Sequence, residues 1–216
     1  MKKTLLTILC ALSLSAASAQ TLYNNEDNRP YFGARIGLDI SSASEGYDVY
    51  SNGAGFNIGA IYHLPVKMNF YFEPGLGIFY DTFGCSAYAD IFGGKAPLVD
   101  GSIRNFGFRI PFHFGYHFDF TDDISVSIYT GPQLNYSLTA KSHFKEPVFG
   151  FPYNESMFGE DGFKRTDLQW SFGVSLNYRQ HYHVSIGGAA GLTKVMDTKA
   201  MDFRRNLFNI GIGYNF

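Results

Sequence analysis

The sequence predicts an all-β fold, an eight-stranded antiparallel up-and-down β-barrel whose strands cross a membrane. Apolar and polar residues alternate along eight segments, and a period of two is typical of a strand with one apolar face. The connections between these segments are alternately short and long, as in transmembrane barrels. The composition agrees, because 22 Phe, 15 Tyr and 24 Gly stand among 216 residues while only 17% are charged. After the N-terminal residues, no apolar run approaches the ~18 residues of a transmembrane helix.

The N-terminal residues predict a secretory signal peptide over residues 1–19. Lys2 and Lys3 form a basic start, an apolar run follows, and residues 17–19 read Ala-Ser-Ala, which suits a cleavage site. Residues 20–30 are expected to form a short polar lead into the barrel, which occupies residues 31–216. Cys10 falls within the predicted signal, so the mature chain keeps Cys85 alone and can form no internal disulfide.

The charge balance argues against a nucleic-acid-binding protein. Without Lys2 and Lys3, 15 of the 17 basic residues remain against 19 acidic ones, a net charge of about −4. An acidic surface of this kind would repel the phosphate backbone.

Each predicted strand is read from its alternation. The strands are expected near residues 31–40, 53–62, 68–81, 103–118, 124–138, 167–178, 182–193 and from about 206 to the last residue. Short turns follow the second, fourth and sixth strands. Long loops are expected over residues 41–52, 82–102, 139–166 and 194–205. With an even number of strands, both termini and all the short turns fall on one side of the membrane.

Alternation alone fits either a lipid-facing wall or a soluble barrel with an apolar interior. The polar face here is rich in Gly and poor in Lys and Glu, unlike a water-facing exterior. Aromatic residues of the apolar face concentrate near the strand ends, as in the interfacial girdles of membrane barrels. We therefore expect the even-numbered apolar residues, such as Phe108, Ile128 and Val174, to contact lipid.

The odd-numbered residues would then fill the lumen, which eight strands make just wide enough for side chains. We expect no open aqueous pore. Arg35, Glu73 and Arg109 lie at mid-strand depth and form the predicted polar network. Isolated charges are costly to bury, so Glu73 is expected to contact at least one of the two arginines. The alternative is that trapped water solvates each charge.

Several short motifs resemble a known family. They are Gly33–Leu38, Gly55–Gly59, Phe72–Leu76, Ile110–Phe112 and Gly131–Leu134. In order and spacing they are similar to the small outer-membrane β-barrels of Bacteroidetes-type bacteria, the PorT-like proteins, which share the build of OmpX and OmpW. The resemblance implies a barrel in the cell outer membrane, and it implies little about function. The terminal Phe216 resembles the C-terminal signature that the barrel-assembly machinery recognises.

No catalytic, metal or cofactor site is expected. His63, His117 and His183 are all placed near the turn side of the barrel, where hydrogen bonding is favoured over a metal cluster. No motif resembles a catalytic triad. Thr130 is the main polar exception on the lipid-facing wall, which argues against a lipid-modifying enzyme.

The long third loop carries the candidate recognition surface. Its aromatic residues stand among Lys, Glu and Gly, and aromatic residues on a loop held by a rigid barrel form a plausible binding surface. The candidates are Phe144, Phe149, Phe151, Tyr153 and Phe158. The alternative is that these rings pack on one another and extend the barrel above the membrane.

The sequence therefore predicts a monomeric, non-enzymatic outer-membrane barrel with a structural or cell-surface recognition role. The expected partners are outer-membrane lipid, lipopolysaccharide and the assembly machinery. One alternative is a narrow conduit for small or hydrophobic molecules. Another is an accessory component of a secretion system.

Overall fold

The computed structural model describes residues 29–44, 50–91, 94–145, 152–159, 162–197 and 202–216. The predicted signal peptide and most of the predicted lead lie outside these ranges, as do Phe149 and Phe151 of the candidate recognition surface. No helix in the described part of the chain is long and apolar enough to cross a membrane.

The described residues form eleven strands. They are β1 (Tyr31–Ser44), β2 (Tyr50–Ser51), β3 (Gly53–Lys67), β4 (Phe70–Ile91), β5 (Gly94–Asp119), β6 (Ile124–Lys145), β7 (Pro152–Ser156), β8 (Thr166–Tyr178), β9 (Tyr182–Gly191), β10 (Lys194–Asp197) and β11 (Asp202–Asn215).

Eight of these strands form a closed wall in which each pairs antiparallel with its neighbours. The order is β1, β3, β4, β5, β6, β8, β9 and β11, and β11 pairs back onto β1 from Gly33 opposite Asn215 to Ser44 opposite Arg204. The amide of Phe216 donates a further bond of 2.8 Å to the carbonyl of Phe32. Closure leaves no wall strand with an unpaired edge in hydrocarbon. The predicted eight-stranded antiparallel barrel is confirmed.

Over the middle of the wall, side chains alternate between its two faces. Phe108, Ile128 and Val174 are 40%, 47% and 44% exposed on the outer face. Odd-numbered residues such as Phe79 and Asn135 are completely buried in the lumen. The apolar face of the alternating pattern is therefore the outer one.

The β-bulge between β5 and β6 reverses this alternation. Phe106 lies opposite Thr139 while Gly107 lies opposite Ser137, so Leu138 is an extra residue in β6. Beyond it the faces exchange: Ala140 and Ser142 are buried, and Thr139 and Lys141 are exposed. The expectation that even-numbered residues face outward is wrong for this end of β6, because an inserted residue reverses the alternation that follows it.

The two ends of the barrel differ. We call the end that holds both chain ends of the wall and the short turns at residues 68–69, 120–123 and 179–181 the turn end. Met68, Arg179 and Gln180 adopt left-handed φ angles of 57°, 51° and 58° there, as tight hairpins require. The opposite end is the loop end.

The loop end carries more strand than the sequence predicts. β4 and β5 remain paired out to Ile91 and Gly94, β7 pairs with β6, and β10 pairs with the start of β11. The expected long loops over residues 82–102 and 194–205 are therefore largely strands, and the one over 139–166 contains the end of β6 and all of β7. These segments alternate poorly, because pairing outside the membrane needs no apolar face.

Candidate functional site

A cluster of five charged side chains crosses the lumen towards the loop end. Arg109 Nη1 lies 2.9 Å from Asp39 Oδ2, and its Nη2 lies 3.6 Å from Asp81 Oδ2. Arg205 Nη1 lies 3.1 Å from the same Asp81 oxygen, and its Nη2 lies 2.9 Å from Asp167 Oδ2. Each of these five residues is buried. We call this set the loop-side cluster.

Neighbouring side chains hold the loop-side cluster in place. Asn57 and Asn209 donate hydrogen bonds to Asp39 at 3.0 and 2.7 Å. The ring of Phe79 lies between the two guanidinium groups, 5.1 Å from that of Arg109 and 4.8 Å from that of Arg205. Cation–π contact and hydrogen bonding both strengthen where water is excluded. The cluster therefore ties together five strands across the width of the barrel.

A glycine makes room for the Asp81 carboxylate. Gly55 on β3 lies opposite Asp39 on β1 and Asp81 on β4. A Cβ at Gly55 would fall too close to Asp81 Oδ1 and to the carbonyl of Tyr80. The missing side chain leaves space for Asp81 Oδ1 over β3, while its Oδ2 contacts Arg109 and Arg205.

A second cluster lies nearer the turn end and runs through histidines. Arg35 Nη2 lies 4.0 Å from Glu73 Oε2, and His63 Nδ1 lies 3.2 Å from the same oxygen. His63 Nε2 is 3.4 Å from His117 Nε2, and His117 Nδ1 is 2.6 Å from Ser127 Oγ. Asn177 Nδ2 donates to Ser127 Oγ at 2.9 Å, and His183 Nδ1 is 2.9 Å from Asn177 Oδ1. We call the residues of this chain, Arg35, Glu73, His63, His117, Ser127, Asn177 and His183, the turn-side cluster.

The hydrogen bonds of the turn-side cluster have one consistent direction. If Glu73 is a carboxylate, His63 must donate from Nδ1, which leaves its Nε2 as an acceptor. His117 then donates from Nε2 and accepts from Ser127 at Nδ1. Ser127 in turn accepts from Asn177. With neutral imidazoles, every donor in the chain therefore points towards Glu73, which accepts at its end.

Aromatic rings close the lumen around these histidines. Tyr31 stacks on His63 with ring centroids 4.4 Å apart, and Tyr71 stacks on His117 at the same distance. Gly115 provides the space for Tyr71, because a Cβ at that position would meet the tyrosine ring. The stacked rings therefore fill part of the lumen at this depth.

A cavity of about 130 Å³ lies between the two clusters. Arg35 and Glu73 line it from one side, and Asp39 and Arg109 line it from the other, with Gln133 between them. A water molecule occupies roughly 30 Å³ of liquid. The cavity therefore has room for only a few waters and is bounded by charged groups.

The structure divides the predicted polar network of Arg35, Glu73 and Arg109. It brings Arg35 and Glu73 together in the turn-side cluster and places Arg109 in the loop-side cluster. Sequence reasoning missed Asp167 and Arg205 as members. Arg205 was expected in a loop, yet it continues the odd-numbered series of β11, and extending that series by one position would have found it.

The three histidines do not form a metal site. His63 and His117 are in contact, whereas His183 bonds to Asn177. Within the described ranges, no three His, Cys, Asp or Glu side chains are placed to hold a metal ion.

Thr130, the polar exception on the lipid-facing wall, is fully used in hydrogen bonding. Its hydroxyl donates to the carbonyl of Ser171 at 3.0 Å and accepts from Trp170 Nε1 at 2.7 Å. Both polar groups are thereby satisfied against hydrocarbon.

The candidate recognition residues fall into three groups. Phe149 and Phe151 lie outside the described residues. Phe144 and Tyr153 lie opposite each other on β6 and β7, where the structure describes only the backbone. Phe158 packs under the Arg165 guanidinium at 3.9 Å.

Phe158 also packs against a small buried core at the loop end. That core consists of Ala140, Phe163 and Val195. For Phe158 the structure therefore favours internal packing over an open binding surface.

Together, the closed wall, the apolar outer face and the charged lumen define a membrane-spanning β-barrel. A family model described as "Outer membrane protein beta-barrel domain" matches residues 7–216. The chain belongs to this family, and the protein is an outer membrane protein.

Solved structures to which the chain is similar include three barrels of low sequence identity. One is Ail, the attachment invasion locus protein of Yersinia pestis, in complex with sucrose octasulfate, at 18% identity, covering 87% of this chain and 99% of that chain, with a TM-score of 0.46. Neisserial surface protein A is 14% identical, covering 86% and 95%, with a TM-score of 0.41. A major outer membrane protein from Thermus thermophilus is 13% identical, covering 87% and 99%, with a TM-score of 0.47. A comparison with curated proteins found no match.

Proposed function

We propose that the protein is a non-enzymatic outer membrane protein that presents a recognition surface at its loop end. The observation that carries the proposal is the sheet formed there by β4, β5, β6 and β7, which continues well past the last lipid-facing residues. A paired sheet holds surface residues in fixed positions at little entropic cost. Recognition would fall to Phe149 and Phe151, which lie between β6 and β7 in the sequence, and to Tyr153 on β7, since Phe158 packs inward.

A change at these aromatic residues tests the proposal. The triple variant Phe149→Ser/Phe151→Ser/Tyr153→Ser removes three rings and keeps the core residues Ala140, Phe163 and Val195. Cells that express the protein would be applied to surfaces coated with serum protein, mucin or polysaccharide. We expect retention above the empty-vector level on at least one coating and its loss in the triple variant.

The matched control is Phe120→Ser, which removes an exposed ring from the turn end. It should be retained like the unmodified protein. If no coating retains the expressing cells, or if the triple variant is retained equally, the recognition role is wrong. A heat-modifiability gel establishes that every variant is folded.

A narrow conduit is the second candidate, because the lumen contains a cavity. Against it, charged residues bound that cavity on both sides. In planar bilayers the conduit predicts steady open steps, whereas a recognition barrel predicts none.

The partners that we propose are lipopolysaccharide and other outer-membrane lipid around the wall, together with the assembly machinery at Phe216. We propose that the barrel works as a monomer. The PorT-like motifs support a narrower kinship within the family, with an accessory role in secretion. That role would be tested by co-purification from outer membranes.

A further inference from the structure

Two like charges stand side by side on the outer face at the loop end of the barrel. Arg104 on β5 lies directly opposite Lys141 on β6, and both side chains are exposed. We propose that they form a binding site for a phosphate group of the outer-leaflet glycolipid, the lipid portion of lipopolysaccharide. The inference deepens the proposed lipid partnership and does not depend on recognition by the loop-end sheet.

The bulge at Leu138 creates this pair. If every residue of β6 paired regularly with β5, Lys141 would continue the odd-numbered series of Asn135 and Ser137 and point into the lumen. Beyond the bulge, Ala140 and Ser142 occupy the buried positions instead. Bulges commonly re-aim a side chain at a functional position. Here the bulge takes a lysine out of the barrel and sets it beside an arginine.

Among the described side chains, none offsets the repulsion between the two cations. Within the described part of the chain, neither side chain has a hydrogen bond or ion pair. Like charges directly opposite each other on paired strands are destabilising. A bound phosphate would reverse the effect, because both cations would then contact one anion, and arginine can do so through two parallel bonds.

A third cation lies beside the same bulge. Arg165 Nη1 donates to the carbonyl of Leu138 at 3.2 Å, and its guanidinium rests on the ring of Phe158. These contacts fix the position of the group without neutralising it. Arg165 therefore adds positive potential next to the pair.

The acidic side chains lie elsewhere. Among side chains that the structure describes, those of Asp119, Asp122 and Asp123 are at the turn end, and the remaining carboxylates point into the lumen. The described outer face at the loop end is thus basic, which complements the anionic headgroups of one leaflet.

The depth of the pair fits a headgroup phosphate. Arg104 lies two residues beyond Phe106, and two residues of a tilted strand advance by about 5 Å along the barrel axis. Phe108, Tyr136 and Leu138 are exposed on the same stretch of wall, closer to the membrane centre. An acylated, phosphorylated glycolipid would lay its chains on these residues and its phosphate on the two cations.

Lipid retention on the purified, folded protein tests the site. The probes are diphosphoryl lipid A, its dephosphorylated form and phosphatidylglycerol, and bound lipid is counted by native mass spectrometry. The variant Arg104→Gln/Lys141→Gln removes the pair. The matched control Lys67→Gln/Arg179→Gln removes two exposed charges from the turn end.

We expect diphosphoryl lipid A to bind the unmodified protein and the control equally, and to bind the Arg104/Lys141 variant about tenfold more weakly. Equal retention by all three proteins would overturn the site while leaving the lipid partnership in place. Failure of the unmodified protein to retain lipid A would overturn both. Equal retention of the dephosphorylated form or of phosphatidylglycerol would overturn the assignment to a glycolipid phosphate.

Thermal stability gives a second, independent readout. In detergent without lipid A, Lys141→Gln relieves a repulsion, so its unfolding temperature should equal or exceed that of the unmodified protein. With lipid A present, the order should reverse. A lysine with a purely structural role would give the same order in both conditions, and that result would contradict the proposal.

Discussion

Arg205 is the residue on which the lumen depends most heavily. It is completely buried and its guanidinium contacts both Asp81 and Asp167. We expect Arg205→Ala to lower the free energy of unfolding by about 3–5 kcal/mol, because Asp167 would remain buried without a cation and Asp81 would keep only Arg109. Urea titration in lipid vesicles, followed by the fluorescence of Trp170, measures this change.

An exposed ion pair provides the control for that measurement. Arg179 Nε lies 3.3 Å from Asp123 at the turn end, where the side chains are 61% and 57% exposed. Arg179→Ala should cost at most about 1 kcal/mol, as is usual for solvent-screened pairs. A similar cost for both variants would mean that water reaches the loop-side cluster.

The turn-side cluster makes a prediction about proton positions. The distances from His63 and His117 to their neighbours allow one tautomer each while Glu73 is a carboxylate. His63 should carry its proton on Nδ1 and His117 on Nε2. Nitrogen chemical shifts of labelled histidine, recorded in detergent micelles at alkaline pH, distinguish the two forms. Finding the proton of His63 on Nε2 would refute the proposed direction of the chain.

At the level of the strand, cysteine labelling tests the bulge in β6. In a Cys85→Ser background, Lys141→Cys should react with a polar maleimide and Ala140→Cys should not, because only the first position is exposed. Deleting Leu138 should leave both results unchanged, because Ala140 and Lys141 would keep their positions opposite β5 and only the bulge would be lost.

The comparison carries its own control. Gln133 lies on β6 before the bulge and faces the lumen, so Gln133→Cys should stay unreactive with and without the deletion. Reaction at both 140 and 141 in the intact strand would show that this end of β6 frays, and the paired register would be incorrect.

Strand positions inside the membrane could be predicted from the sequence, and those at the loop end could not. Hydrocarbon on one side and a packed lumen on the other force a period of two on residues such as Phe108 and Val174. Beyond the membrane both faces of a strand can be polar. The sequences of β7 and β10 therefore show no alternation of apolar and polar residues. The bulge at Leu138 could not be predicted either. In the sequence, one extra residue between two alternating stretches looks the same as the end of a strand and the start of a loop.

At the level of the whole barrel, we expect Phe216 to affect assembly into the membrane and not the stability of the fold. Its ring is 74% exposed, and its backbone amide alone bonds to β1. We expect Phe216→Ala to change the free energy of unfolding by no more than about 0.5 kcal/mol, as for other surface substitutions. Recognition by the assembly machinery predicts a much lower amount of the variant in the outer membrane, measured by immunoblot after cell fractionation.

A second terminal variant sharpens this test. Tyr214→Ala removes a ring from the same strand and leaves the terminal Phe in place. It should reach the outer membrane in normal amounts. If Phe216→Ala also does so, the terminal ring has no part in assembly.

The charge clusters could be predicted only in part, for a geometric reason. The sequence shows which residues face the lumen, so Arg35, Glu73 and Arg109 could be selected. It does not show which strands meet across the barrel, because that depends on strand tilt and stagger. In the structure, Arg109 pairs with Asp39 on β1. Glu73 lies nearer the turn end than Arg109 does and pairs with Arg35 instead.

The pairing of β1 with β11 brings Tyr31 and Phe216 to the same rim of the barrel. A linker as short as the existing hairpin turns could join these positions, and new chain ends could then be opened between β9 and β11. Such a circularly permuted chain would keep every lateral hydrogen bond of the wall while moving both termini to the opposite side. Sequences at the loop end could then be displayed as chain termini. The order of the strands along the chain would change, while their order around the barrel would stay the same.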